Sequence, residues 1–276
     1  MAGGTPVIDV WTQHIRGTAP GVNPEGENVF RNYGMLDVYH HGTDVAKMID
    51  AMDRHGVRVA LMAGDNEAVA KAQDAHPGRI YGQYHADPRD IMKAVRGLEH
   101  YVRSRGFVAL RIEPFMWRKP PTDRAYYPLY AKAVELGVPV RIYSSMNYAT
   151  DRPYDLGHPR HLDQVAIDFP ELTIIGGLGG WPWVNEMVAL VRRHPKLHLD
   201  TSAHRARYLG QRGSGWEMLL QFGNTLIQDK VLVGLSAGLV GQTHETLIQE
   251  YLDLPLKDPV KEKWLYGNAA RIFELG

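Results

Sequence analysis

Side chains that could bind an anion or move a proton recur directly after short apolar runs of the sequence. Arg111 stands between Leu110 and Ile112, and His85 follows Tyr84 at the end of another run. A guanidinium can bind a carboxylate through two hydrogen bonds, and histidine is the usual general acid or base near neutral pH. The side chains in such positions are Gln13, His14, His85, Asp87, Arg111, Glu113, Tyr143, Ser144, Ser145, His204 and Ser236.

Arg111 and Tyr143 are the residues predicted to handle negative charge. Because Arg111 alternates with apolar neighbours, we expect its side chain to point inward and bind a substrate carboxylate. The alternative is a structural ion pair with Glu113, itself a candidate for substrate binding, or with Asp9, which we expect to be a buried structural acid. Tyr143 is expected to face the same pocket and donate to an oxyanion, or else to fill space as a core aromatic.

Three histidines are candidate proton carriers. His85, His204 and His14 each lie near the end of a predicted strand, and for each the alternative is a loop histidine bonded to the backbone. Asp87 is expected to cap the helix that follows it. The pair His40–His41 resembles a metal pair by type, but adjacent residues rarely point the same way, so we expect it at the surface.

Trp11, Gln13, Ser236 and Trp181 complete the predicted substrate-binding set. Trp181 could line a flat pocket for an aromatic ligand, with packing of a loop as the alternative. Ser236 has no nucleophile elbow around it, so contact with the substrate is favoured over a nucleophilic role.

The composition narrows the class of protein. The 276 residues include 31 basic and 31 acidic side chains, so no net charge favours nucleic acid or a membrane surface. The absence of cysteine excludes disulfides and thiolate chemistry. The segment Met1–Thr5 does not resemble a signal peptide, and no apolar run approaches the ~18 residues of a membrane span. We therefore expect a cytoplasmic protein with a small-molecule substrate, either monomeric or a homo-oligomer.

Strands and helices alternate along the whole length and must position these side chains. The predicted strands are Val7–Val10, Val57–Met62, Ile80–Tyr84, Phe107–Ile112, Val138–Tyr143, Leu172–Ile175, Leu197–Asp200 and Val231–Gly234. The predicted helices are Thr43–His55, Asn66–Ala75, Asp90–Arg105, Arg124–Leu136, His161–Asp168, Trp183–His194, Gly215–Gln221, Thr243–Leu252 and Val260–Leu275. Short connections favour one (β/α)8 barrel over residues 1–276, with an open doubly wound sheet as the alternative.

Several segments, in order along the chain, resemble the second amidohydrolase group, which contains metal-dependent hydrolases and decarboxylases such as aminocarboxymuconate-semialdehyde decarboxylase. They are Val7–Trp11, Tyr127–Tyr130, Gly137–Val140, Asp168–Leu172, Gly180–Trp183, His198–Ala203 and Asn268–Phe273. The resemblance implies a TIM barrel whose active site lies at the carboxyl ends of the strands.

The metal ligands that this resemblance implies are almost all replaced. The family's His-x-His of the first strand is Trp11 and Gln13 here, the fifth-strand histidine is Tyr143, the sixth-strand histidine is Leu178, and the eighth-strand aspartate is Ser236. Catalytic zinc needs about three His or carboxylate ligands. We therefore expect no metal and no other cofactor.

Three functions follow from these observations. The first is a metal-independent hydrolase acting on a small carboxylated molecule, aromatic or cyclic, with Arg111 binding the anion and His85 or His204 moving the proton. The second is a decarboxylase or another carbon–carbon lyase, which the same family contains. The third is a non-catalytic barrel that binds a small molecule.

Overall fold

Eight parallel strands form one sheet in chain order in this computed structural model, which describes residues 5–32 and 35–275. They are β1 (Val7–His14), β2 (Val57–Gly64), β3 (Ile80–His85), β4 (Ala109–Ile112), β5 (Val140–Tyr143), β6 (Ile174–Gly177), β7 (Leu197–Asp200) and β8 (Val231–Leu232). The N–H of Val10 donates to the carbonyl of Val233 at 3.1 Å, which brings β8 back to β1. The predicted (β/α)8 barrel is confirmed, since an open doubly wound sheet would reverse its strand order.

Helices surround the barrel between the strands. They are α1 (Pro24–Asn32), α2 (Leu36–His41), α3 (Val45–His55), α4 (Asn66–Ala75), α5 (Ile91–Arg105), α6 (Pro114–Trp117), α7 (Tyr127–Leu136), α8 (Arg160–Asp168), α9 (Val184–Arg193), α10 (Ala206–Leu209), α11 (Glu217–Gly223), α12 (Ala237–Val240), α13 (His244–Leu252), α14 (Asp258–Glu262) and α15 (Asn268–Ile272). A 3-10 turn covers Leu178–Gly180, and a π-helical segment, Lys263–Gly267, joins α14 to α15.

Several boundaries differ from the predicted ones. Strand β1 continues to His14 instead of ending at Val10, because the polar residues after Val10 pair with β2 as far as Gly64. Strands β4, β5 and β6 begin two residues later than predicted, and β8 ends at Leu232. Helices α1 and α2 lie in the connection from β1 to α3, where no helix was predicted.

The strands separate two apolar cores. One face of each strand packs against the surrounding helices, while the other face fills the lumen of the barrel with Ile8, Val10, Val59, Leu61, Ala109, Ile175 and Leu232. Phe273 and Leu275 pack against this inner cluster from the end of the chain. Since side chains alternate between the two faces of a strand, residues two positions further along point into the same lumen.

Helix caps fix where the elements begin and end. Asp44 accepts from the N–H of Lys47 at 3.1 Å, and Gly56 ends α3 with a φ of 74°. The prediction that Asp87 is a helix cap was wrong. Asp90 caps α5 instead, while Asp87 lies outside the first turn and accepts from the side chain of Arg89.

The segment before β1 bears on the predicted absence of a signal peptide. Residues 1–4 lie outside the described part of the chain, so that prediction is not tested there. No helix within the described ranges combines the length and the apolar character needed to cross a bilayer.

Candidate functional site

Two arginines meet inside the barrel near the carboxyl ends of its strands. Arg111 on β4 and Arg141 on β5 are paired residues in the register of the two strands. Their apolar neighbours pack toward the helices, so alternation directs both guanidinium groups into the lumen. Their exposed fractions are only 2% and 0%, so both guanidinium groups are buried.

Each arginine has one buried carboxylate partner. Nη2 of Arg111 donates to Oε1 of Glu113 at 2.5 Å, and Nε of Arg141 donates to Oδ2 of Asp200 at 2.6 Å. Burial alone would raise the pKa of Glu113, but the guanidinium of Arg111 and the ring of His85 bring it below its usual range. Burial likewise opposes ionisation of Asp200, and Arg141 nevertheless lowers the pKa of that carboxyl. Both acids are therefore ionised at neutral pH.

The arginine pair retains donors that no protein group satisfies. Nη1 of Arg111 and Nη1 of Arg141 are buried and have no hydrogen-bond partner among the described residues. The indole of Trp11 lies beside both, with its ring centre 5.0 Å from Cζ of Arg111 and 5.8 Å from Cζ of Arg141. Its Nε1 is also buried and lacks a partner in the described part of the chain. Buried unpaired donors are costly, so their clustering indicates a place where a bound acceptor, either water or a ligand, is needed.

His85 extends the network of Arg111 toward the surface. Its Nε2 lies 3.3 Å from Oε2 of Glu113, and its side chain is 17% exposed. The same ring borders a groove outside the barrel whose lining includes Asn66, Asp87 and Arg89. His85 therefore contacts the carboxylate that pairs with Arg111 and is itself partly exposed.

A cavity of about 320 Å³, the side cavity, opens beside β1. Three residues predicted to bind substrate line it, namely Trp11, Gln13 and Ser236. Its remaining walls come from β2, α2, α3 and α12 and from His244 at the start of α13. Trp11 is the residue that borders both this cavity and the arginine pair.

The other predicted residues lie around this centre. The phenol of Tyr143 donates to the carbonyl of Met146 at 2.9 Å, and its ring packs 4.7 Å from that of Phe115. His204 packs its ring 6.0 Å from Trp181 and 5.0 Å from Trp216, and burial lowers its pKa to about 4. The hydroxyls of Ser144 and Ser145 donate to the carbonyls of Ile142 and Trp181, and Oγ of Ser236 accepts from the N–H of Ala203.

The remaining histidines fall outside the arginine pair. His14 ends β1 opposite Gly64, half-buried, and its Nδ1 has no partner among the residues described. His41 is exposed, whereas His40 is half-buried with Nδ1 3.0 Å from the carbonyl of Thr18. The expectation of a surface pair therefore holds for His41 alone.

The described side chains do not fit the divalent metal that the resemblance implies. Among them, no group of three or more His, Cys, Asp or Glu residues is placed to hold a metal ion. Trp11 and Leu178 have no ligand atom suited to such an ion, and Gln13, Tyr143 and Ser236 are neutral.

Sequence reasoning missed Arg141 and Asp200, although a signal for the first was present. Arg141 alternates with Val140 and Ile142 in the same way that Arg111 alternates with its own neighbours. Asp200 ends a segment that we assigned to a strand, and its partner lies 59 residues away along the chain. No local sequence pattern indicates a pair of residues so far apart along the chain.

The chain belongs to the amidohydrolase family, since the model of that family, described as Amidohydrolase, matches residues 8–275. This match confirms the resemblance drawn from the sequence. A search of curated proteins finds no match.

Solved structures show the same fold over almost the full length. A TIM-barrel protein of Bordetella bronchiseptica, described as uncharacterized, is 24% identical, with 98% of this chain and 99% of that one covered and a TM-score of 0.79. The 5-carboxyvanillate decarboxylase of Sphingomonas paucimobilis is 16% identical, with 99% and 100% covered and a TM-score of 0.70. A 2,6-dihydroxybenzoate decarboxylase bound to 2,6-dihydroxybenzoate is 15% identical, with 99% and 100% covered and a TM-score of 0.69.

Proposed function

We propose that this protein is a decarboxylase of a small aromatic carboxylate, and that the arginine pair binds the anion without a metal. The observation that carries the proposal is the cluster of buried, unpartnered donors formed by the arginine pair and Trp11. Two guanidinium groups next to a flat indole suit a planar acid, because each can donate to carboxylate oxygens while the ring packs against the substrate. Similarity to two aromatic-acid decarboxylases supports this activity over hydrolysis.

The reaction has a balanced course in this site. A proton adds to the ring carbon that bears the carboxylate, the bond between that carbon and the carboxylate breaks, and its electron pair returns to the ring as CO2 leaves. His85 is the proposed proton donor, because it contacts the ionised Glu113 and has access to solvent for reprotonation. The arginine pair balances negative charge on the substrate throughout.

The burial of His204 argues against it as the proton donor. Because its pKa is lowered to about 4, the imidazole of His204 is neutral at physiological pH and lacks the acidic proton of an imidazolium. Tyr143 is proposed as a wall of the site rather than a proton carrier, because its phenol already donates to the backbone.

The test is release of CO2 from aromatic carboxylates, with 5-carboxyvanillate and 2,6-dihydroxybenzoate tested first. We expect turnover by the wild type and loss of at least about 100-fold in Arg111→Met, in line with about 3 kcal/mol for a charged hydrogen bond. Arg103→Ala is the matched control, because Arg103 is 60% exposed and distant in the fold. Absence of both turnover and binding with every aromatic acid tried would overturn the proposal.

Hydrolysis is the second candidate, favoured by the family's description alone. The arginine pair would then stabilise the oxyanion formed from an amide, ester or lactone, and His85 with Glu113 would activate water. The products distinguish the two activities. Decarboxylation releases CO2, whereas hydrolysis releases none and forms a carboxylate, which can be followed by the release of a proton.

A further inference from the structure

A bulge in β1 gives Trp11 its position. Pairing with β2 runs from Asp9 opposite Ala60 directly to Thr12 opposite Met62, so Val10 and Trp11 share the space of one residue. Val10 belongs to the core of the lumen, and Trp11 contacts the arginine pair. Without the extra residue, strict alternation would turn one of these two side chains away from the lumen.

One carboxylate holds this bulge together. Oδ1 of Asp9 accepts from the N–H of Trp11 at 3.0 Å and from the N–H of Leu235 at 2.9 Å, and Oδ2 accepts from Oγ1 of Thr12 at 3.2 Å. The first bond satisfies the backbone of the bulge, and the second ties it to the chain that leaves β8. Asp9 is buried, with 3% of its surface exposed, and it lines the side cavity. None of the three bonds just described joins its carboxylate to the arginine pair.

Space for the indole is provided from the β8 side. A Cβ on Gly234 would lie 2.8 Å from Cβ of Trp11 and would collide with the hydroxyl of Ser202. Gly234 directly precedes Leu235, whose N–H bonds to Asp9. The bulge, Asp9 and Gly234 therefore fix the position of Trp11 where β1 meets β8, which we call the seam between β1 and β8.

We propose that Asp9 is a positioning residue for anion binding, acting through Trp11, which it holds beside the arginine pair. The inference rests on the proposed function, because in that proposal Trp11 forms one wall of the carboxylate site. Replacing Asp9 frees the bulge and lets the indole leave the guanidinium groups, which weakens binding of a planar acid although Asp9 itself never contacts that acid.

The test is a double-mutant cycle on the affinity of the full chain for 2,6-dihydroxybenzoate, measured by calorimetry. We expect Asp9→Leu and Trp11→Ala each to weaken binding roughly tenfold, and the double variant to weaken it no further, because both changes remove the same wall. Asp9→Asn keeps an oxygen for both N–H groups and should bind as the wild type does. Thr12→Val is the matched control, since it removes only the bond to Oδ2.

A second measurement separates this inference from the proposed function. The near-ultraviolet circular dichroism of Trp11, taken as the difference between the wild type and Trp11→Phe, should disappear in Asp9→Leu and persist in Asp9→Asn. If the wild type binds no aromatic acid, the proposed function fails, while this spectrum still decides whether Asp9 positions Trp11. Multiplicative affinity losses in the cycle, or an unchanged spectrum in Asp9→Leu, would contradict the inference.

Discussion

Buried charged residues define the interior of this molecule, and Arg141 and its partner Asp200 are both 0% exposed. Its guanidinium bonds to Asp200, which also accepts from the N–H groups of Leu178 and Ser202 at 3.0 Å each. Asp200 thus keeps its backbone partners if Arg141 is removed, but it loses its counter-charge.

Arg141→Met is therefore expected to lower the free energy of unfolding by about 3–5 kcal/mol, because it leaves a buried carboxylate uncompensated. The free energy of unfolding should fall clearly less in the double variant Arg141→Met/Asp200→Asn, because no isolated charge then remains. Urea unfolding followed by circular dichroism measures both. Equal losses in the two variants would show that Asp200 does not depend on Arg141 for its charge.

Asp9 gives a prediction about pH. Burial raises its pKa from 3.8 to about 6, although the N–H groups of Trp11 and Leu235 oppose this rise. Between these values the folded protein binds a proton that the unfolded chain has released, so this carboxyl makes stability fall as the pH rises.

Asp9→Asn removes that dependence. Its unfolding free energy relative to the wild type should increase by about 2 kcal/mol between about pH 4.5 and about pH 7.5. Unfolding curves of the two proteins at both pH values provide the measurement, and the difference between them cancels the titration of all other groups. A constant difference would show that Asp9 has an ordinary pKa.

At the residue scale the sequence predicted part of the site. The alternation around Arg111 indicated an inward guanidinium. Its bond to Glu113 is the structural ion pair that the sequence offered as the alternative to substrate binding. The roles assigned to Tyr143, His85, His204 and the other site residues stay predictions. Distance along the chain explains what was missed, because Asp200 and Arg141 come from different strands.

At the scale of elements, the sequence predicted the helix ends that short-range interactions determine. The cap at Asp44 and the left-handed glycine at Gly56 fix α3, and both could be read directly from the sequence. The bulge in β1 could not be predicted, because Asp9 bonds to a residue 226 positions further along. Helices α1 and α2 were missed because they are only nine and six residues long, which gives only a short apolar pattern to identify each helix.

The seam between β1 and β8 yields a prediction for two glycines. Gly234→Ala should destabilise the protein by about 1–3 kcal/mol, because the new methyl group collides with Ser202 and crowds Trp11. Gly238→Ala is the matched control, since its Cβ would meet no atom within 4 Å and Gly238 lies in α12. We expect it to be neutral or slightly stabilising. Thermal unfolding measures both, and equal melting temperatures would contradict the close packing at Gly234.

At the scale of the whole molecule, the fold was predictable because strands and helices alternate along the sequence. Eight strands in chain order bring residues from distant segments to one end of the barrel, and this arrangement assembles the arginine pair with Trp11, Glu113 and Asp200. At the same end of the barrel, the positions where the resemblance implies metal ligands hold Trp11, Gln13, Tyr143, Leu178 and Ser236. In this account the unpaired donors of the buried guanidinium groups bind the substrate.

Calorimetric titration of chelator-treated protein with 2,6-dihydroxybenzoate tests this claim most directly. The account predicts binding at one site with the same affinity before and after treatment with EDTA, no gain from added Mn²⁺ or Zn²⁺, and at least roughly tenfold weaker binding in Arg111→Met. Binding that disappears with EDTA and returns with either metal ion would contradict it, because a cation and not the arginine pair would then hold the anion.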